Sequence, residues 1–214
     1  MDIDGTLIDS NDAHAKAWVE AFSEQGLQVD YLVVRRKIGM GGDHLLPEVT
    51  SWSEDSPQGK KVSERRGQIF REKYLPTLIP FPGARALLER FLAEAIELVV
   101  ATSASEEDMQ GVLEQAGLDD LLKKKTNADD AERSKPSPDI ITAALKKIEF
   151  SKEEVLMVGD TPYDVEAADK AGVRAVAFTC GGWSKEDLAP AIAIFKGPQD
   201  LLDHYHLSPF NNPN

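Results

Sequence analysis

Val155-Leu156-Met157-Val158-Gly159-Asp160-Thr161-Pro162-Tyr163-Asp164 reads as an apolar strand that stops at Gly-Asp, with a second acid four residues on. An uninterrupted aliphatic run marks a strand buried on both faces, as in parallel sheets. Asp160 then stands at the strand tip, where open parallel sheets bind their ligands, and Asp164 falls in the first turn of the next helix. Helix capping accounts for Asp164 alone, but not for an acid at the tip of an apolar strand.

Similar runs at 96–101, 175–178 and 191–195 predict further strands, with Glu97 the one polar interruption in the first. Helices with legible ends lie between them. Ser105 and Asp108 form a capping pair ahead of Val112 and Leu113, closed by Gly117. Ser137 is expected as the cap of a helix with Pro138 at its first position, carrying Ile140, Ile141, Ala144 and Leu145. Another helix is expected from about 163 to 172, and Lys123-Lys124-Lys125 reads as a charged helix end. Strands alternating with helices imply βαβ units and a parallel sheet, an α/β fold.

Residues 12–79 differ, with helical spacing and loops but no convincing strand. Trp18, Ala21, Phe22 and Gln25 follow His14 at helical intervals, a short segment spans 32–37 after Asp30, and a longer one spans 62–74. Pro80-Phe81-Pro82-Gly83 makes a stiff turn that restarts a helix at 84–91. The expected organisation is a core of residues 1–11 and 80–214 with a small helical domain inserted at 12–79.

Composition narrows the function. Hydrophobic residues make up 42% and charged residues 29% of 214, an ordinary globular balance. Twenty-four basic against thirty-seven acidic residues leave a net charge of −13, which repels polyanions and argues against nucleic acid as a partner. A small anionic metabolite stays compatible, because a bound cation and one lysine invert the field inside a cleft. The single Cys180 forms no internal disulfide and is expected to be a small buried residue. No apolar run approaches the roughly 20 residues of a spanning helix. The amino terminus has two acids in place of a basic and apolar leader. A soluble cytoplasmic protein, off the membrane and monomeric or homodimeric, is the expectation.

The chain opens Met1-Asp2-Ile3-Asp4-Gly5-Thr6, two carboxylates separated by one residue ahead of an Asp-Gly turn. At a strand end alternate side chains share a face, so Asp2 and Asp4 enter one space and need a cation there; a solvated turn is the plainer reading. Thr102-Ser103-Ala104-Ser105 ends one strand and opens a helix, where hydroxyls and N–H groups suit a phosphate, although capping also explains them. Pro136 and Pro138 stiffen the loop around Lys135, so its ammonium can be aimed.

Asp2-x-Asp4-Gly5-Thr6, Thr102, Lys135-Pro136 and Gly159-Asp160 with Asp164, in this order, resemble the four motifs of the haloacid dehalogenase superfamily across essentially the whole chain. The insertion resembles the helical cap of its phosphoglycolate phosphatase and β-phosphoglucomutase branch. The resemblance implies a Rossmann-like parallel sheet core with an inserted α-helical cap domain, and hydrolysis of a small phosphorylated metabolite with Mg2+. It also implies roles. Asp2 is the nucleophile and Asp4 the acid and base; Thr102 and Lys135 hold the phosphoryl oxygens, with the Ser103 backbone helping. Magnesium falls to Asp2, the Asp4 carbonyl and Asp160, with Asp164 behind. His14 lies where such proteins place a hinge histidine, or simply caps or packs its helix. The loop carrying Gly41 and Gly42 resembles the substrate-specificity loop.

Two departures follow. Members of the superfamily carry several apolar residues ahead of the nucleophile, whereas Asp2 directly follows Met1, so a very short or truncated first strand is expected. Gly42 stands where phosphomutases carry an arginine, which favours hydrolysis, although Arg35 or Arg36 could supply a positive charge. Phosphomutase, phosphonate hydrolase or a silent binding module are the alternatives.

Overall fold

The computed structural model describes residues 1–211. Among the described residues, five short parallel strands form two sheets. β1 (Val99–Ala101) pairs with β2 (Lys124–Thr126), and β3 (Leu156–Gly159) pairs with β4 (Arg174–Phe178), which pairs with β5 (Ala193–Phe195). Residues 1–3 run between the two sheets: Ala101 N–H donates to the Met1 carbonyl and Asp2 N–H donates to the Val158 carbonyl, both at 2.8 Å. The opening segment is held from both sides, with Asp2 and Ile3 buried.

Helices cross over between the strands. α6 (Glu106–Gln115) links β1 to β2, α7 (Asp139–Leu145) leads to β3, and α8 (Pro162–Ala171) joins β3 to β4. α5 (Ala84–Ala93) precedes β1 and α9 (Pro198–Asp203) follows β5. Alternation along β4 divides the core. Val176 and Phe178 are buried on alternate positions from Ala175 and Ala177, and Phe178 joins the apolar cluster of Ile3, Leu87 and Phe91. Ala175 and Ala177 join Ile140, Val165 and Ala168 on the other face.

Residues 11–77 fold as helices: α1 (Asn11–Glu24), α2 (Tyr31–Arg35), α3 (Gly42–Val49) and α4 (Pro57–Ile69), continued by a wide π turn at Phe70–Tyr74. Asp30 caps α2 by accepting from Leu32 N at 2.8 Å, so that helix begins one residue earlier than its spacing suggests. Ser56 and Pro57 start α4 five residues ahead of the expected 62. The chain leaves and re-enters the core at one place, where Ile8 bridges Pro80 and Phe81 N–H donates to the Leu7 carbonyl at 2.8 Å. Trp18, Phe22, Val62 and Phe70 of the helical segment share one apolar cluster with Ile3, Leu7 and Ile8.

Four local expectations need correction. Lys124 and Lys125 belong to a strand, not a helix end; Lys125 pairs with Asp119 and Lys124 with Glu97, and such charges suit the edge position of β2. The strand expected at 96–101 forms only at Val99–Ala101, because β2 offers three residues to pair with. Ser137 does not cap α7: its N–H closes a turn onto the Ser134 carbonyl at 3.0 Å, and the helix starts at Asp139 with Pro138 as cap. Ser105 caps α6 through its hydroxyl, but the Asp108 carboxylate does not return the bond and turns to Arg66 and Arg71. No helix among the described residues is long and apolar enough to cross a membrane.

Candidate active site

The strand tips meet beneath the helical segment. Gly5 sits at φ +70 in the turn after Asp4, and a Cβ there would lie 2.1 Å from Asn11 Nδ2 and 2.3 Å from Asp160 Oδ2. Only glycine lets this turn close over the tip of β3. Thr6 Oγ1 then donates to Asp160 Oδ1 at 2.8 Å, and Asn11 Nδ2 donates to Asp160 Oδ2 at 2.9 Å.

Lys135 is wholly buried, its Nζ 2.8 Å from Asp2 Oδ1 and 2.7 Å from Asp164 Oδ1. Asp164 Oδ2 accepts from Thr161 N at 3.0 Å and from Thr161 Oγ1 at 2.7 Å, a reciprocal cap that starts α8 and fixes the carboxylate. Asp2, Asp160 and Asp164 bring carboxylate oxygens within 4.8 Å of one another and so could hold a metal ion. Burial first, and then the neighbouring acid Asp164, push Asp2 up to about 7 despite Lys135. Burial, with Asp164 and Asp2, likewise holds Asp160 well above the carboxylate range. Lys135 is held above its own ordinary value: its burial acts the other way but is outweighed by Asp164 and Asp2.

Asp4 lies in a different environment. Its Oδ1 accepts from Ser10 Oγ at 2.5 Å and lies 2.9 Å from His14 Nε2. His14 is held flat on Phe70, ring centroids 4.0 Å apart. Burial acts to raise Asp4, but His14 and Ser10 outweigh it and leave its carboxyl below the usual range. Thr102, also buried, accepts from Ala104 N at 3.1 Å, and Ser103 Oγ accepts from Lys135 N at 3.3 Å, tying the end of β1 to the lysine loop.

The glycine-bearing loop of the helical segment closes the site. Gly39, at φ +108, approaches so near that a Cβ would sit 2.6 Å from Thr161 Cγ2. Asp43 Oδ2 accepts from Ser134 N at 3.0 Å, next to Lys135. A cavity of about 60 Å³ remains, lined by Asp2, Asp4, His14, Gly41, Gly42, Thr102, Ser103 and Arg66 among others. Lys135, Asp160 and Asp164 do not line it but adjoin Asp2, which does.

Asp2, Asp4, His14, Gly41, Gly42, Thr102 and Ser103 line the cavity, Lys135, Asp160 and Asp164 gather around Asp2, and the structure adds Thr6, Ser10, Asn11 and Thr161, which hydrogen-bond the acids. Their signal was thin, since short polar residues beside a turn read as caps. The positive charge looked for at Arg35 or Arg36 is elsewhere. Arg35 binds Asp12 at 2.7 Å and the Gly181 carbonyl at 2.6 Å, and Arg36 lies over Trp183, whereas Arg66 reaches the cavity. Cys180 is half-buried, not buried as expected, and its thiol donates to the Gly5 carbonyl at 3.3 Å.

Buried acids at the tips of a parallel sheet, closed over by a helical segment, define an enzyme site. Residues 1–178 match the haloacid dehalogenase-like hydrolase family, and the chain belongs to that family. A phosphoglycolate phosphatase of Rhodospirillum rubrum is 30% identical over 213 residues, covering 95% of this chain and 88% of that one. The crystal structure of a hydrolase from Pseudomonas syringae has a TM-score of 0.89 at 31% identity, over 96% of each chain. β-Phosphoglucomutase of Clostridium difficile shares the fold, with a TM-score of 0.83 at 19% identity over 99% of this chain and 96% of that one.

Proposed function

We propose that the protein is a magnesium-dependent phosphatase that hydrolyses a small phosphate monoester through an aspartyl-phosphate on Asp2. One observation carries this reading: two carboxylates two residues apart sit in opposite environments. Asp2 lies in a buried acid cluster paired with Lys135, while Asp4 is bonded to His14 and Ser10 outside it. The two environments separate the tasks: the acid cluster can share a divalent charge that ionises Asp2, while Asp4, bonded to His14 and Ser10, lies outside it and is free to exchange protons.

The donor set suits magnesium. Hard carboxylate oxygens converge, and burial with mutual repulsion raises both Asp2 and Asp160, so a divalent charge would return them to their ionised forms. Asp2, the Asp4 carbonyl and Asp160 would hold the ion, with Asp164 orienting Lys135 beside it. Bound there, magnesium supplies positive charge to the phosphoryl oxygens.

In the first step an Asp2 oxygen attacks phosphorus, the bond from phosphorus to the ester oxygen breaks, and that oxygen takes a proton from the protonated form of Asp4, which, burial notwithstanding, His14 and Ser10 make the minor form in the free enzyme. In the second, Asp4 accepts a proton from water, whose oxygen attacks phosphorus and releases Asp2 and phosphate. His14 holds Asp4 in place for both steps. Lys135, Thr102 and the Ser103 backbone bind the transferring oxygens. The helical segment, expected as a cap at 12–79, excludes water while seated, and its loop with Gly41 and Gly42 meets the leaving group.

Turnover of p-nitrophenyl phosphate with and without magnesium tests the reading. Activity that appears with magnesium and vanishes in chelator is expected; undiminished turnover in excess chelator would sink the metal assignment.

A further inference from the structure

We infer that Asn11 fixes the Asp160 carboxylate as a metal ligand and thereby sets the site's preference for magnesium over calcium. This deepens the magnesium reading above and rests on it. Asn11 belongs to none of the four motifs and opens α1, the first helix of the helical segment. Its side chain is buried, the residue being 2% exposed. Its Nδ2 donates to Asp160 Oδ2 at 2.9 Å and to the Gly181 carbonyl at 3.2 Å, while its Oδ1 is buried with no partner among the described residues.

An asparagine placed only to start a helix would use its oxygen on a backbone N–H there. Here the oxygen is left bare and both bonds are made by the nitrogen, so the fold carries a desolvated acceptor in order to put N–H groups on Asp160 and Gly181. Two glycines make that meeting possible. A Cβ on Gly5 would lie 2.1 Å from Asn11 Nδ2, and one on Gly181 would lie 1.7 Å from Asp160 Oδ2. The Gly181 carbonyl also accepts from Arg35 Nη2 at 2.6 Å, and Arg35 Nε donates to Asp12 Oδ1 at 2.7 Å, so the carbonyl that orients the amide is itself held.

Asp160 is thereby pinned at both oxygens, by Thr6 Oγ1 on Oδ1 and by Asn11 Nδ2 on Oδ2. One bond would leave the carboxylate free to turn, whereas two bonds from different parts of the chain fix its plane. That rigidity separates the two ions. Magnesium takes oxygen ligands at about 2.0–2.1 Å in near-octahedral order, whereas calcium accepts roughly 6–8 oxygens at about 2.3–2.6 Å and often takes both oxygens of one carboxylate. With Asn11 engaged on Oδ2, Asp160 is held to meet an ion through one oxygen. Without Asn11 the carboxylate is free to swing and grip the larger ion with both.

Thermal melts by circular dichroism in graded magnesium chloride or calcium chloride, each referred to the same protein in EDTA, give the affinity for each ion without any catalysis. Asn11→Leu keeps the branched shape and removes the donor. It should weaken magnesium about tenfold to a hundredfold, the usual cost of losing a group that orients a metal ligand, and calcium by much less. The readout is a ratio of two affinities within one protein, so a general loss of stability does not imitate it, and a packing role for Asn11 would leave it unmoved. Asn11→Ala, which only removes bulk, carries the same expectation and stands in if the leucine variant shows no cooperative melt. A wild type that binds magnesium beside a folded variant with an unchanged ratio overturns the inference alone. A wild type whose midpoint magnesium does not raise overturns the magnesium reading, and this inference with it.

Discussion

Replacing Lys135 with Met should destabilise the protein strongly in chelator and much less in magnesium. The ammonium is wholly buried and within 2.8 Å of Asp2 and 2.7 Å of Asp164, and no other cation touches the cluster among the described residues. Methionine fills the space but leaves three buried acids facing one another. Removing one partner of a buried ion pair costs about 3–5 kcal/mol. Asp164 keeps its bonds to Thr161, so the cost should not exceed that range. For a chain of this length each kcal/mol moves the midpoint by about 2–4 °C, which puts the fall at roughly 6–20 °C. Magnesium at a hundredfold over its Kd restores about 2.7 kcal/mol, and it should raise the variant's midpoint more than the wild type's, because it replaces the missing charge. Thermal melts by circular dichroism, in EDTA and in excess magnesium, give all four values. A variant that melts with the wild type in EDTA, or an equal magnesium shift in both proteins, refutes the picture of an acid cluster balanced by Lys135.

In chelator, the Asp2 contribution to stability should fall as pH rises from about 4 to about 7: Asp2 ionises near 7 in the fold against an ordinary 3.8, so the folded state holds the proton that the unfolded chain gives up. Because the buried Met1 amino group, lowered to about 5, acts the other way above pH 5, the fall is read as the difference between wild type and Asp2→Asn. Urea titrations across that window should show the decline, and magnesium should flatten it. Gly42→Phe places a ring where even a Cβ meets Glu54 Oε1 at 2.7 Å, so it should change the order of preference among phosphate esters more than it changes p-nitrophenyl phosphate turnover. Equal loss on every substrate would make the loop purely structural.

The parts of this protein that could be read from its sequence are those where one residue type has one physical explanation. An acid at the end of a wholly apolar run, as at Asp160, has little business there except to bind something. A lysine between stiff prolines is aimed, and Lys135 is. β2 escaped notice because Lys124 and Lys125 mask the strand pattern and only Thr126 is buried. α3 escaped because its start, Gly41-Gly42, reads as loop, and just Leu45 and Leu46 of its residues are buried. Arg66 lies on a helix rich in Lys, Arg, Gln and Glu, where a cation is unremarkable until the helix is folded back over the strand tips. Asp108 looked like half of a capping pair because its spacing from Ser105 fits one. Its use as an anchor for Arg66 and Arg71 depends on contacts 42 and 37 residues away, which local spacing does not reveal.

The division of labour between Asp2 and Asp4 is tested most directly by intact-peptide mass spectrometry of Asp4→Asn after brief exposure to acetyl phosphate and magnesium. An acyl phosphate has a leaving group that needs no proton, so Asp2 should be phosphorylated, and without the Asp4 carboxylate no base remains to activate water. The account predicts one added phosphoryl group on the peptide containing Asp2, accumulating in Asp4→Asn and absent from Asp2→Asn. A label on another peptide, or turnover of alkyl phosphates by Asp4→Asn at the wild-type rate, would contradict it.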